Sequence, residues 1–181
     1  MMDLFAKPVT RIALAAGLLT AMLGWMVADR LSLLRSGREI VLKVIQVDPR
    51  DLFKGDYVRL GYDIAGFEAA KLDGPALMSG DRVFVTLEQA GADAPWTVAK
   101  ISRTRPATLA ANQIMLMAKG NYNRLLYGLE RYYLPEGTGG AMEDKARKGV
   151  LSAIVAVNAK GQSAIKGLII DGKRIYEEPL L

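Results

Sequence analysis

The chain contains no cysteine and no histidine. Without cysteine there are no disulfides and no thiol nucleophile. Without histidine there is no Ser-His-Asp triad, no imidazole acid or base, and no zinc site of the usual kind. The lack of cysteine permits an oxidising compartment without requiring one. What is present in quantity is apolar: 51% of the 181 residues are hydrophobic and 24% are charged, the balance of a globular domain with a packed core. The length suits one domain with a short appendage, not two independent cores.

The formal charge of +5 is unevenly placed. Residues 1–38 hold Lys7, Arg11, Arg30, Arg35 and Arg38 against Asp3 and Asp29, so more than half of the excess lies in the first fifth of the chain. A nucleic-acid binder concentrates its cations on the folded module, whereas a cationic collar beside an apolar segment suits anionic lipid headgroups. The expectation is a membrane partner and no nucleic acid.

That apolar segment is Ile12 to Ala28, IALAAGLLTAMLGWMVA, 17 residues without a charge between Arg11 and Asp29-Arg30. At roughly 1.5 Å per residue it spans roughly 26 Å, the short end of a bilayer core. Trp25 near its far boundary is an interfacial residue. Apolar side chains cover every face, unlike the single stripe of a core helix. A cleaved signal peptide is the rival reading; the run exceeds a usual signal core, and Val27-Ala28-Asp29 is a poor small-x-small exit. Cations flank both ends almost equally, so charge alone does not orient the span.

Beyond the anchor the period changes. Residues 29–38, DRLSLLRSGR, predict a juxtamembrane helix extension ending at Gly37. Glu39–Val47 is β-branched at strand length and stops at Asp48-Pro49. Residues 55–64, GDYVRLGYDI, alternate: Val58, Leu60, Tyr62 and Ile64 share one face, and Tyr57, Arg59, Gly61 and Asp63 the other. The stretch 65–80 predicts a short helix or loop returning to the sheet. Strands follow at Arg82–Glu88, Trp96–Arg103 and Gln113–Lys119, then a hairpin turn at Gly120-Asn121 and one extended run over 122–134. A short charged helix at Ala141–Lys148 precedes strands at Val150–Val157, Ser163–Ile170 and Lys173–Glu177, with turns at 158–161 and Asp171-Gly172. Strands this short and closely spaced imply a mainly β fold with minor α: a single transmembrane helix, then an antiparallel sheet, sandwich or barrel-like domain. The predicted division is 1–11 flank, 12–28 transmembrane helix, 29–38 linker and 39–181 β-rich domain. Phe53–Val58 and Met78–Val83 echo one another, each with Gly-Asp two residues ahead of a strand valine, which reads as shared turn chemistry.

The motif Gly55-Asp56-Tyr57, Leu60, Tyr62 resembles the signature of the GDYxxLxY family of bacterial membrane-anchored proteins. The upstream Asp48-Pro-Arg-Asp-Leu52 and the later Tyr127-Gly-Leu-Glu-Arg-Tyr-Tyr-Leu-Pro-Glu-Gly137 resemble it as well, and the likeness covers most of residues 40–175. The resemblance implies a membrane helix followed by a domain that faces the periplasm, in proteins often encoded beside multi-pass membrane proteins. It implies no reaction.

The residues themselves allow two accounts. If the two blocks meet, Asp56, Arg59, Glu130 and Arg131 form a charged cluster, with Tyr57 and Glu136 nearby. Alternatively Asp56 caps a turn, Arg59 pairs with a carboxylate and the tyrosines fill the edge of the core. The candidate cluster is Gly55, Asp56, Tyr57, Arg59, Leu60, Tyr62, Glu130, Arg131 and Glu136, with no catalytic residue, no metal and no cofactor assigned. The expected function is a membrane-anchored interaction module rather than an enzyme: a periplasmic subunit or adaptor of a complex in the bacterial inner membrane, meeting a multi-pass protein. The alternative is a tethered hydrolase using carboxylates such as Glu130 and Glu136, or a Ser/Lys pair drawn from Ser32, Ser36 or Ser79.

Overall fold

The computed structural model describes residues 8–46, 57–66, 68–92, 94–133 and 150–177. It opens with one helix, α1 (Pro8–Ser36). Alanine, leucine and methionine dominate it, and proline at its first position is tolerated because the missing N–H has no helical partner there. The apolar run is bare: Leu18, Leu23 and Trp25 are all exposed, and the helix is long and apolar enough to cross a membrane.

The helix changes character at its last turn. Leu33 and Leu34 are buried together with Ala164 of the domain. Gly37 donates its N–H to the Leu33 carbonyl at 3.0 Å. A Cβ on Gly37 would lie 2.6 Å from that same oxygen and 3.1 Å from the Ala156 Cβ, so only glycine lets the helix end lie flat on the sheet. The first strand begins at the next residue.

Eleven strands follow among the described residues: β1 (Arg38–Gln46), β2 (Tyr57–Tyr62), β3 (Leu72–Asp73), β4 (Arg82–Gln89), β5 (Trp96–Ser102), β6 (Gln113–Asn121), β7 (Arg124–Leu126), β8 (Arg131–Tyr133), β9 (Leu151–Val157), β10 (Ser163–Ile170) and β11 (Lys173–Glu177). They form a six-stranded sheet, β11-β10-β9-β1-β2-β8, and a five-stranded sheet, β3-β5-β4-β6-β7. Strand outweighs helix, as the spacing predicts. All pairings are antiparallel except the two-residue β3, which runs parallel to β5.

The two sheets share one core. Ile40, Leu42 and Val44 of β1, with Leu151, Ala153 and Val155 of β9, meet Val83, Val85 and Leu87 of β4 and Ile114, Leu116 and Ala118 of β6. The period of two that marks β1 as a half-buried strand is visible in the structure, where Val41 and Ile45 point outward. β9 differs, because Ile154 and Ala156 are buried as well. It sits inside the sheet between β1 and β10, and the end of α1 contacts it.

Two local expectations need correction. The run over 122–134 is not one strand: β7 and β8 belong to different sheets, and the chain crosses between them at residues 127–130, where Gly128 takes φ +78°. The hairpin near Gly120-Asn121 turns instead at Tyr122-Asn123, since Asn121 pairs with Arg124 and Tyr122 adopts φ +52°. Gly120 stays in β6 because its missing Cβ admits the 74–80 loop; a Cβ would stand 3.1 Å from the Met78 carbonyl. As expected, stretch 65–80 returns to the sheet, its described residues holding 3-10 turns, loop and the two-residue β3 beside β5. The charged helix expected at Ala141–Lys148 lies outside the described residues.

Candidate functional site

The signature strand lies in the six-stranded sheet with the second block beside it. β2 pairs β8 with Tyr57 opposite Tyr133, Val58 opposite Tyr132 and Arg59 opposite Arg131. The adjacency on which the cluster depends therefore holds for Arg59, Leu60, Tyr62, Glu130 and Arg131. Gly55, Asp56 and Glu136 lie outside the described residues.

Leu60 and Tyr62 point into the core; Tyr62 is 1% exposed. The Tyr62 hydroxyl donates to the Leu129 carbonyl at 2.9 Å, and the Leu60 N–H donates to the Glu130 carbonyl at 2.9 Å. From the other side the Tyr127 hydroxyl donates to the Ile64 carbonyl at 2.8 Å. The corner that carries the chain from one sheet to the other is thus held by reciprocal bonds: a tyrosine from each block reaches a backbone carbonyl of the other block. The Glu130 carboxylate completes it by accepting the Tyr127 N–H. Burial raises both phenol pKa values well above the ordinary tyrosine range, and the negative charge of Glu130 raises them further. Both hydroxyls stay protonated donors at any working pH.

This arrangement favours the second of the two accounts from sequence. Leu60 and Tyr62 are core residues, Glu130 braces a corner, and a cavity of about 150 Å³ beside Asn121 and Arg124 is lined by all three. Arg131 is exposed and faces Arg59 across the ladder. Sequence reasoning placed the later block in the site but left out Tyr127 itself, the partner that closes the corner. The available signal was Tyr127-Gly128 followed by an acid three residues after the tyrosine, a turn stabilised by its own side chain.

The Gly-Asp echo can be checked at its second copy. Gly80 has φ +94°, and Asp81 accepts the Met78 N–H at 3.0 Å and Arg103 at 3.1 Å. These bonds hold its carboxyl below the usual aspartate range, the Met78 N–H foremost. That is turn chemistry, as expected. The first copy falls outside the described residues.

Arg38 behaves differently from the collar to which its position assigned it. Its guanidinium sits 5.5 Å from the centre of the Trp96 ring and donates to the Gln113 and Ala111 carbonyls at 3.1 and 3.2 Å. It clasps the second sheet instead of facing lipid. Beside it a cleft of about 710 Å³ opens beyond the helix end, walled by Val41, Lys43, Gln89, Trp96 and Asp171. On the neighbouring strands Glu39 binds Lys166 at 2.7 Å and Arg174 at 3.3 Å, and the Lys166 bond leads in lowering its pKa. Among the described residues no three acidic side chains converge as a cation site.

No curated protein and no solved structure matches this chain. The family model described as "GDYXXLXY protein" does, over residues 19–168, a span that includes most of the apolar helix, strands β1 to β9 with most of β10, and the corner that joins the two sheets. The chain belongs to the GDYXXLXY protein family.

Proposed function

We propose that this protein is a membrane-anchored interaction module, a subunit or adaptor that presents its β domain to a multi-pass protein on the periplasmic side of the bacterial inner membrane. The observation that carries this reading is the packed junction between anchor and domain. The helix ends on Leu33, Leu34 and Gly37 packed against the sheet, and β1 starts at Arg38 without a flexible linker. A domain fixed in height and orientation above a bilayer presents one face to neighbours in the same plane, and confinement to two dimensions makes a modest interface effective. The cleft beside Arg38 and Trp96 lies on the side away from the apolar run and is the natural contact surface. The hydrolase alternative gains no support from Glu130, whose carboxylate is engaged by the Tyr127 N–H.

The test is recovery of the full-length protein from native membranes in mild detergent, followed by mass spectrometry. A multi-pass membrane protein should accompany it reproducibly and be lost when a Gly-Ser linker is inserted between Ser36 and Gly37. Recovery of the chain alone overturns the reading. A unique cysteine at Lys43, reacting with an impermeant maleimide in intact spheroplasts, checks the periplasmic side.

A further inference from the structure

The anchor gives the domain a direction, because successive positions along α1 face successive positions along β6. Arg38, just past the helix, binds the carbonyls of Ala111 and Gln113. One turn and more back toward the amino terminus, Ser32 and Asp29 share a cavity wall with Ile114 and Met115. Further back still, Trp25 and Met26 share another with Met117 and Tyr127. β6 therefore runs antiparallel to the helix and approaches the apolar run as it proceeds. Its hairpin tip, Tyr122-Asn123, lies five residues beyond Met117, roughly 16 Å further at strand rise. The tip lies on the bilayer side of the domain.

What the tip carries matches that position. Tyr122 is 83% exposed in a left-handed conformation uncommon for its type, and Met78, on the loop that packs against Gly120, is 75% exposed. Beside them Arg82 stands directly opposite Lys119, and Lys119 opposite Leu126, so these three share the outer face of the sheet. Arg124 pairs with Asn121 at the turn. Arg82, Lys119 and Arg124 are all exposed. None of the three makes an ion pair among the described residues, and the nearby carboxylate of Asp81 is taken by Arg103. Two cations opposed across a ladder cost stability unless an anion lies between them.

We infer that the β6–β7 hairpin is a second membrane contact, in which Tyr122 and Met78 enter the headgroup region and Arg82, Lys119 and Arg124 bind anionic lipid phosphates. The aromatic ring supplies the amphipathic body that interfaces favour, and each cation is drawn to the negative potential of an anionic surface. Helix and hairpin together hold the domain by two points. This inference rests on the helix being a membrane anchor.

The test uses the full chain, which has no native cysteine. A single Asn123→Cys is labelled with an environment-sensitive fluorophore, a separate Leu18→Cys serves as the anchor reference, and both are reconstituted in nanodiscs of phosphatidylglycerol and phosphatidylcholine with lipid-borne quenchers. Both labels should be quenched. Replacing Arg82, Lys119 and Arg124 by Glu, or omitting phosphatidylglycerol, should reduce quenching at position 123 at least twofold and leave position 18 unchanged; Tyr122→Ser should weaken it as well. A water-like, unquenched label at 123 with position 18 quenched overturns the hairpin contact and leaves the anchor standing. Quenching at 123 that ignores both charge reversal and lipid charge overturns the anionic-lipid assignment. No quenching at 18 overturns the anchor and this inference with it.

Discussion

Two tyrosine-bearing regions lie a few residues apart in this domain and are used in opposite ways. At the corner, Tyr62 and Tyr127 are buried, each hydroxyl spent on a backbone carbonyl of the other block. At the hairpin tip, Tyr122 is exposed and its ring packs against nothing in the core. The first pair joins the two sheets at a corner, as the Arg38 clasp and the Met117 N–H bond to the Gly161 carbonyl join them elsewhere; the second adds nothing to the fold that a serine would not. A conspicuous motif is thus a fastening, and an inconspicuous turn is the surface with chemistry left over.

Mutations separate the two regions by size of effect. Tyr62→Ala should cost the most, about 3–5 kcal/mol, since it empties a buried aromatic site and releases the corner. Urea unfolding of the full-length protein in detergent measures it, followed by the fluorescence of buried Trp96 with Trp25→Phe as background. Gly37→Ala comes next, at about 1–3 kcal/mol, because the new methyl meets the Leu33 carbonyl, a backbone atom that moves only if the helix lifts from the sheet. Limited proteolysis at the junction should accelerate in parallel. Tyr62→Phe and Tyr127→Phe should each cost about 1–2 kcal/mol by orphaning a buried carbonyl. Their double mutant should depart from additivity, because both residues lie against Glu130.

The smallest effects belong to the surface. The lowered pKa of Glu39 means that its ion pairs stabilise the folded state above the ordinary glutamate value of 4.5 and lose that contribution as pH falls below it. The pair is partly exposed, so Glu39→Gln should flatten the acid limb of the stability profile only slightly. Tyr122→Ser should change stability by less than about 0.5 kcal/mol. A destabilisation at Tyr122 comparable with that at Tyr62→Phe would erase the distinction between the two regions.

Much of the fold was legible in the sequence because its signals are local. The bare apolar run, the alternation in β1, and the turn at Asp171-Gly172, where both residues take positive φ, are each set by a few neighbouring residues. The corner was not, since Tyr127-Gly-Leu-Glu has no period to mark a change of sheet and its bonds reach back to residues 62 and 64. Arg38 was misread for a similar reason. Charge places it in the collar, but its stacking on Trp96 arises only when the two sheets close. Of the candidate site, the structure places Leu60, Tyr62, Glu130 and Arg131 beside one another, while the roles of Tyr62 and Glu130 depend on Tyr127, marked in the sequence only by the acid three residues after it.

The most direct test of the account is the urea midpoint of the Tyr62→Phe/Tyr127→Phe double variant against the parent chain. Loss of both hydroxyl bonds should lower the midpoint clearly while the folded protein keeps its strand content by circular dichroism. An unchanged midpoint would contradict the claim that the signature tyrosines fasten the fold, and would return the motif to the role of a binding site.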